Sequence, residues 1–270
     1  MARIASLHVY PVKSCRGIDV ESVRLTDTGP EWDRRWMIVT RADGRFITQR
    51  SHPKMATIAV AIDGGALRLS APGTAPLELP VDHAGRSWPV TIWKSECLGI
   101  DAGDAAAAWL SDVLGEPLRL VRQDPARSRL ASTEYAGPDP HPVSFADAYP
   151  ILMIARESLE ALNRRLPEPI PMARFRPNVV IEGVAAHAED AMTRFRAGTV
   201  VLRGVKLCTR CPITTTDQQT GARDPDQQPL RTLAGYRHDY VLKGVTFGQN
   251  CVVEAGVGER LAVGMPLTIG

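Results

Sequence analysis

Short runs of alternating apolar and polar residues fill the first hundred positions of the chain. Residues 36–40 and 46–48 flank Asp43-Gly44, a dipeptide that accepts the positive φ angles of a tight hairpin turn. Residues 57–70 repeat this arrangement around Asp63-Gly64-Gly65, with apolar positions that alternate on both sides of the turn. The pattern predicts two β-hairpins within a small antiparallel sheet or barrel.

A helical pattern follows at residues 104–114, with Asp101 or Asp104 as the expected N-cap and Gly115 placed to end the helix. Residues 123–142 are polar and contain four prolines, which favours a long loop or lid. We therefore expect two domains, an N-terminal β-barrel domain over 1–120 and a second domain over 121–270.

The second half opens with a run that is apolar throughout, residues 150–154, which predicts a strand buried on both faces. A helix is expected over 157–166, where Pro167 stops it, and another over 229–236. Further strands are expected at 178–181, 199–202, 205–207, 251–254 and 266–269. Few helices among many strands predict an α+β fold that is mainly β, with a second domain that is also barrel-like.

Composition narrows the class of protein. The chain of 270 residues has 32 basic and 30 acidic side chains, a balance that produces no strong field for nucleic acid or an anionic membrane. Five cysteines, an odd number spread unevenly, do not suggest a disulfide framework. The N-terminus has no signal-peptide pattern, and no apolar run approaches the roughly 18 residues of a membrane span. We expect a cytoplasmic protein without a nucleic-acid or membrane partner.

The segment Cys208-Thr209-Arg210-Cys211-Pro212 carries the C-x-x-C spacing, which fits several kinds of site. A thioredoxin-type dithiol needs a helix after its first cysteine, but β-branched residues follow here. A structural zinc site needs four ligands, and the sequence offers no second such pair. The remaining interpretations are two buried structural thiols or one soft thiolate ligand for a transition metal, supported by the charge of Arg210. Spacing alone does not decide between them.

Three other segments place cations beside small hydrogen-bonding groups, as binding of a phosphate or of the polar edge of a heterocycle requires. They are Tyr10-Pro11-Val12-Lys13-Ser14-Cys15, Asp33-Arg34-Arg35-Trp36 and Arg174-Phe175-Arg176-Pro177-Asn178. Each is also compatible with ordinary salt-bridged surface residues. The six histidines include no i, i+4 pair, and neither G-x-S-x-G nor a Walker-type loop occurs. His141, between two prolines, is a candidate for catalysis or simply an exposed loop residue.

An ordered series of segments spans nearly the whole chain: Tyr10 to Cys15, Asp33 to Val39, Ser144 to Pro150, Phe175 to Asn178, Cys208 to Pro212, Thr214 to Asp217, Thr220-Gly221 and Phe247 to Asn250. In this order the segments resemble the molybdenum-cofactor sulfurase C-terminal (MOSC) family in its two-part form. That form has an N-terminal β-barrel domain followed by the MOSC domain. Within the family, the likeness is to the mitochondrial amidoxime-reducing component and its bacterial relatives.

The resemblance implies a molybdenum-dependent oxidoreductase that reduces hydroxylamines, amidoximes and N-hydroxylated bases with a molybdenum-molybdopterin cofactor. Cys211 matches the metal-ligating, catalytic cysteine, and Cys208 is then a structural thiol. The positions implied to bind the cofactor are Lys13, Ser14, Arg34, Tyr149, Arg176, Asn178, Thr209, Arg210 and Asn250.

The resemblance also bears on partners. Some bacterial members continue into a ferredoxin-like domain with an iron–sulfur cluster, whereas we expect no such cluster in this chain. Electrons would come from an external donor that is ferredoxin-like, a flavin reductase or cytochrome b5-like, and the substrate is a small N-hydroxylated molecule. Animal members carry a membrane anchor, which this sequence does not show. A rival function is sulfur carriage or cofactor delivery through a persulfide on Cys211, although no pyridoxal phosphate site is supported. A non-catalytic binding protein is a further alternative.

Overall fold

The computed structural model describes residues 1–270, apart from the side chain of Pro125. The chain is mainly β, and the expected α+β fold with an N-terminal barrel-like domain and few helices is confirmed. The strands before residue 125 are β1 (Arg3–Val9), β2 (Ile18–Val20), β3 (Ser22–Thr26), β4 (Gly29–Pro30), β5 (Trp36–Thr40), β6 (Ala59–Asp63), β7 (Ala66–Ala71), β8 (Thr74–Pro80), β9 (Ser87–Ile92), β10 (Ser95–Asp101) and β11 (Leu118–Gln123).

The second half of the chain adds ten strands within the described residues. They are β12 (Arg129–Leu130), β13 (Pro142–Val143), β14 (Ile151–Ala155), β15 (Val179–Glu182), β16 (Arg194–Ala197), β17 (Val200–Thr209), β18 (His238–Asp239), β19 (Gly244–Ala255), β20 (Arg260–Ala262) and β21 (Thr268–Ile269). The α-helices are α1 (Asp104–Leu114), α2 (Thr133–Ala136), α3 (Arg156–Asn163) and α4 (Leu230–Ala234). Short 3-10 helices cover Pro53–Thr57, Pro125–Arg127, Met172–Arg174, Ala188–Asp190 and Pro212–Thr215.

The largest sheet joins both ends of the chain. Its strand order is β2-β1-β15-β14-β19-β17-β16-β21, with β18 paired to β19. Strand β1 pairs antiparallel with β15, and β20 pairs antiparallel with β3. The first thirty residues therefore contribute strands to the sheets of the second half, across the predicted boundary at 120/121. The division into 1–120 and 121–270 stays a prediction.

The N-terminal half has two further sheets, β5-β11-β10-β9 and β6-β7-β8. Helix α1 packs on them and buries Trp109 and Leu110 in a core shared with Trp36 and Ile38. Both predicted hairpins are present, since Val39 pairs with Phe46 around the first turn and β6 pairs with β7 around the second. The second arm of the first hairpin is shorter than expected, a bridge rather than a full strand.

Helix α1 has the predicted bounds, and Gly115 ends it with φ +83°. The predicted N-cap is wrong. Gly103 occupies the cap position, while the carboxylates of Asp101 and Asp104 accept hydrogen bonds from Arg119 at 2.9 and 2.7 Å. The two carboxylates that could have capped the first helical N–H groups are instead paired with Arg119 on β11.

Several segments of the second half differ from the expected ones. The loop predicted over 123–142 contains α2 and the β12–β13 ribbon. The strands expected at 199–202 and 205–207 are one strand, β17, which pairs along its length with β19. Helices α3 and α4 are shorter than predicted, because α3 ends at Asn163 and α4 covers only Leu230–Ala234. The buried strand predicted at 150–154 is confirmed as β14, whose residues are all buried.

No helix among the described residues is long and apolar enough to cross a membrane. Two main cores lie beneath the sheets. One joins Leu7, Met153 and Phe195 within the large sheet, and the other lies between the N-terminal sheets and α1. A cavity lined by residues of both halves lies where β14, β17 and β19 approach the segments after β1 and β4.

Candidate functional site

All ten residues that the resemblance implies for the metal and cofactor line one cavity, which measures about 210 Å³. They come from separate segments of both halves: Lys13, Ser14, Arg34, Tyr149, Arg176, Asn178, Thr209, Arg210, Cys211 and Asn250. The remaining lining includes Thr48, Asp147, Lys206 and Cys208. The structure thus brings the predicted set together, while the roles assigned to its members stay predictions.

Lys13 lines the cavity with only 5% of its surface exposed. Its Nζ donates to the carbonyl oxygen of Phe145 at 2.8 Å and to Oδ1 of Asp147 at 2.6 Å. Burial lowers the pKa of Lys13, although the Asp147 carboxylate opposes this effect. Partial burial raises the pKa of Asp147, but the ammonium of Lys13 lowers it more, so the net pKa lies below its usual range. The Asp147 carboxylate is therefore ionised beside Lys13.

Arg34 connects the two halves of the chain across the cavity. Its Nη1 donates to Oδ2 of Asp33 at 2.6 Å and to Oδ1 of Asn178 at 3.1 Å, and its Nη2 donates to the carbonyl oxygen of Arg176 at 3.2 Å. Asn178 in turn donates to Oδ1 of Asp33 at 2.9 Å. This buried network fixes the direction of Arg34 and joins the Asp33 segment to the Phe175–Asn178 segment.

The ring of Tyr10 contacts two of the cavity's arginines. Its ring centroid is 4.4 Å from Cζ of Arg34 and 4.3 Å from Cζ of Arg176. Gly17 makes room for the ring, because a Cβ there would lie 2.4 Å from Cε1 of Tyr10. Burial raises the pKa of Tyr10 to about 12, so the phenol is neutral at physiological pH. The ring attracts both guanidinium groups and so offsets part of their mutual repulsion.

Arg176 has an unused donor that fits an anionic ligand. Its Nη1 donates to the carbonyl oxygen of Cys15 at 2.7 Å, but Nη2 is buried with no hydrogen-bond partner among the described residues. Burial lowers the pKa of Arg176 to about 10, which still leaves it charged at neutral pH. A buried guanidinium nitrogen without a partner is costly unless a ligand satisfies it.

Three of the cavity residues hold backbone conformations that side-chain-bearing residues rarely adopt. The φ angles of Ser14, Arg34 and Arg176 are +67°, +47° and +56°. Such conformations persist where surrounding contacts determine them, and they cluster at ligand-binding sites. Here each one turns the chain so that the side chain lines the cavity.

The C-x-x-C segment starts at the end of β17. Cys208 and Arg210 are two positions apart and therefore project on the same side of the extended chain. Accordingly, Nη1 of Arg210 lies 3.0 Å from Sγ of Cys208, and Nη2 donates to the carbonyl oxygen of Phe175 at 2.7 Å. Arg210 is thus paired with Cys208, and the expectation that its charge supports the thiolate of Cys211 stays a prediction. Cys211 instead precedes the 3-10 helix Pro212–Thr215 and lines the cavity as a half-buried free thiol.

The other cysteines have different surroundings. Cys15 and Cys251 are fully buried, and burial raises the pKa of both thiols, that of Cys15 to about 12. Buried neutral thiols of this kind are chemically inert. Cys208, expected to be structural, lines the cavity beside Cys211 and packs at the edge of the core around Phe175.

Another part of the cavity wall is formed by the paired strands β14, β19 and β17. Asn250 on β19 is paired with Leu152 on β14 and with Lys206 on β17. Tyr149 precedes β14 and is buried, which raises its pKa to about 12. The ammonium of Lys206 lies 3.9 Å from the centroid of the Tyr135 ring. The register of three strands therefore sets the positions of these side chains.

Sequence reasoning missed several residues of the site. Asp147 and Tyr10 fall inside segments that the resemblance uses, but pairing with Lys13 and with two arginines is visible only in three dimensions. Lys206 had a possible signal, since it lies on the strand that leads to Cys208. His141 is not among the residues that line the described cavity; its Nε2 lies 3.2 Å from Nη2 of Arg203.

The donor set of the cavity suits an anionic cofactor with a soft metal. Five cations line it, namely Lys13, Arg34, Arg176, Lys206 and Arg210, against one carboxylate, Asp147. Hydroxyl and amide groups of Ser14, Thr209 and Asn250 add neutral hydrogen-bonding partners. Cys211 presents one thiol, a ligand type that soft metals prefer. A phosphate-bearing cofactor fits this arrangement, and the unpaired Nη2 of Arg176 is a donor ready for it.

Comparisons with known proteins agree with the ordered segments. Residues 1–117 match the MOSC N-terminal beta barrel domain, and residues 140–268 match the MOSC domain. Mitochondrial amidoxime-reducing component 1 of Mus musculus is 35% identical over 245 residues, which cover 87% of this chain and 71% of the relative. The human component 1 is 33% identical over 273 residues, 93% of this chain and 78% of the relative. The crystal structure of YiiM from Geobacillus stearothermophilus is 16% identical and covers 69% of this chain and 71% of that one, with a TM-score of 0.34.

Proposed function

Because the chain belongs to the MOSC-domain family, in the two-part form of the amidoxime-reducing components, we propose that it is a molybdenum-dependent reductase of N-hydroxylated compounds. The observation that carries the proposal is the convergence of Cys211 and five cations on one cavity. Amidoxime reduction is the activity in the names of the relatives, and hydroxylamines and N-hydroxylated bases share its N–OH group.

Different residues of the cavity would bind different parts of a molybdopterin. Arg176, through its free Nη2, and Lys13 would neutralise the phosphate, with Ser14 as a neighbouring donor. Arg34 would act largely by position, since its Nη1 and Nη2 atoms already donate to Asp33, Asn178 and the Arg176 carbonyl. Tyr149, Thr209 and Asn250 line the wall at which the pterin ring system would be recognised.

Cys211 would supply the single protein ligand to the metal. Its thiol lines the cavity without the full burial that makes Cys15 and Cys251 inert. The bound cofactor supplies two-electron redox chemistry at the molybdenum, which the side chains of the protein alone do not provide. In the net reaction the N–OH compound, two electrons and two protons give the amine and water.

Electrons for this reaction would come from a separate protein, a ferredoxin-like protein, a flavin reductase or a cytochrome b5-like protein. A cytoplasmic location belongs to the same proposal.

The proposal is tested with protein produced in a host that makes molybdopterin. With a chemical reductant as electron donor, we expect conversion of a hydroxylaminopurine to the aminopurine, and loss of that activity in Cys211→Ala. No turnover by protein that retains molybdenum would contradict it. A persulfide mass on Cys211 in protein without molybdenum would favour the sulfur-carrier function instead.

A further inference from the structure

Trp93 occupies a turn position that a tryptophan rarely takes. Strands β9 and β10 are joined by the two-residue turn Trp93-Lys94, since Ile92 pairs with Ser95. Trp93 has φ +56° and is 42% exposed. A positive φ at the first central position of a two-residue hairpin turn normally calls for glycine. An exposed, bulky residue held in this conformation points to a role outside the hairpin itself.

The contacts of Trp93 lead to the cavity. Its Nε1 donates to Oδ1 of Asp147 at 3.2 Å, the same oxygen that accepts from Lys13. Its ring meets Phe46 edge to face at 5.0 Å, and Phe46 lies 5.5 Å from the Lys13 ammonium. Asp147 and Lys13 both line the cavity, so Trp93, which is not itself a lining residue, lies directly behind one of its charged groups.

The side chain of Arg50 covers one face of the Trp93 ring. Cζ of Arg50 lies 4.2 Å from the ring centroid, and the guanidinium Nε donates to Oγ1 of Thr48 at 3.4 Å, a long hydrogen bond. A flat cation already stacks on this face, and a planar ligand can take its place at modest cost. Thr48 lines the cavity, so Arg50 connects this face of Trp93 to a lining residue.

Asp147 supplies the matching polar group. It is the one carboxylate among the described lining residues, and its side chain is 58% exposed. Oδ1 accepts from both Lys13 and Trp93, whereas Oδ2 makes no hydrogen bond within the described chain. An ionised carboxylate with one free oxygen is a natural acceptor for the N–H groups of an amidine.

We propose that Trp93 and Asp147 form a subsite for planar N-hydroxylated amidines and hydroxylamino-heterocycles. The planar group stacks on Trp93 in the place of Arg50, and its amino group donates to Oδ2 of Asp147. Trp93 is then a specificity-determining residue, because a small aliphatic hydroxylamine has no planar system to stack. This inference rests on the proposed function and assigns it a substrate class.

The kinetic test compares benzamidoxime with N-methylhydroxylamine in metal-loaded protein. In Trp93→Ala, we expect the KM for benzamidoxime to rise about tenfold, the scale of one stacking contact, with kcat and the kcat/KM for N-methylhydroxylamine unchanged. Trp93→Phe keeps a stacking face and should restore most of the benzamidoxime KM. An equal loss of kcat/KM with both substrates, or no loss of kcat/KM with either, would overturn the subsite.

A binding test separates this inference from the proposed function. Benzamidine, the product amidine, should quench tryptophan fluorescence in the wild-type protein and bind about tenfold more weakly to Trp93→Ala. Asp147→Asn should weaken benzamidine, a cation, more than neutral benzamidoxime. Equal benzamidine affinity in the wild type and Trp93→Ala refutes the subsite alone. Failure of metal-loaded protein to reduce either substrate refutes the proposed function, whatever the binding result.

Discussion

Nη1 of Arg210 lies 3.0 Å from Sγ of Cys208, so the arginine of the C-x-x-C segment is paired with the first cysteine and not with Cys211. Its Nη2 holds the carbonyl oxygen of Phe175 at 2.7 Å. Arg210 therefore connects the end of β17 to the Phe175–Asn178 segment. The sequence places Arg210 next to Cys211, but the geometry makes it a residue that shapes the cavity wall around the cysteine.

Replacement of Arg210 by lysine tests this positioning role. Arg210→Lys keeps the charge but loses the fork that reaches Cys208 and Phe175 at once. We expect the molybdenum content of the purified variant, or its reductase activity, to be about 10–100-fold lower than in the wild type. This is the usual range for residues that orient a metal site. Arg231→Lys is a matched control, because Arg231 is an exposed residue of α4 whose side chain is 73% accessible. Full loading and activity in Arg210→Lys would show that charge alone suffices.

A second test replaces Tyr10, whose ring contacts both Arg34 and Arg176. Tyr10→Leu removes the ring that contacts both Arg34 and Arg176, and with it the attraction that offsets the repulsion of the two cations. We expect a loss of about 2–4 kcal/mol in the free energy of unfolding, together with weaker cofactor retention. Tyr10→Phe keeps the ring and should lie within about 1 kcal/mol of the wild type. Urea unfolding of cofactor-free protein measures the first effect, and a Tyr10→Leu variant as stable as Tyr10→Phe would contradict it.

Gly248 in the middle of β19 should not tolerate a side chain. Its φ is +83°, and a Cβ would lie 2.6 Å from Cγ1 of Ile154 and 2.8 Å from the carbonyl oxygen of Met153. We expect Gly248→Ala to cost about 3 kcal/mol or more, since left-handed strain and a backbone clash add together. Gly64→Ala is the control, because Gly64 has φ +54° with nothing within 4 Å, and it should cost about 1–2 kcal/mol. Equal costs in denaturant unfolding would show that the clash is relieved.

His187 predicts a pH dependence of stability. Burial, and then the charge of Arg237, lower its pKa below the ordinary 6.5. The unfolded chain therefore binds a proton more readily than the folded one, so this group makes stability fall as the pH drops below about 6.5. His187→Asn removes the titration and suits the local φ of +63°. We expect a shallower fall in unfolding free energy from about pH 7.5 to about pH 5.5, by at most about 1.4 kcal/mol per pH unit. An unchanged slope would contradict the assignment.

Local chemistry explains which parts of the fold the sequence predicted. Asp43-Gly44 and Gly115 determine a turn and a helix end within a few residues, and the structure has both. Gly204 lies between the two strands predicted at 199–202 and 205–207, which the structure shows as one. In the structure it lies within β17, where a Cβ would be 2.6 Å from the carbonyl oxygen of Met192. Here glycine permits close approach of two backbones, which depends on a distant segment.

For the candidate site, too, the sequence predicted the segments involved but not the contacts between distant residues. The ordered segments predicted which residues would gather, and all ten line one cavity. They did not predict which atoms meet, such as Arg210 with Cys208, or Trp93 with Asp147 across 54 positions of sequence. Side-chain direction depends on strand register and on turns with unusual φ, as at Ser14 and Arg176. These are set by tertiary packing, which a linear pattern does not encode.

The most direct test of the central claim is the molybdenum-to-protein ratio in the wild type, Cys211→Ala and Cys208→Ala, all produced in a molybdopterin-competent host. Both cysteines line the cavity, so the pair forms a matched comparison. We predict near-stoichiometric molybdenum in the wild type, loss of most of it in Cys211→Ala, and retention of most of it in Cys208→Ala. A well-folded wild type without molybdenum, or a Cys211→Ala variant loaded as fully as the wild type, would contradict the assignment of Cys211 as the metal ligand.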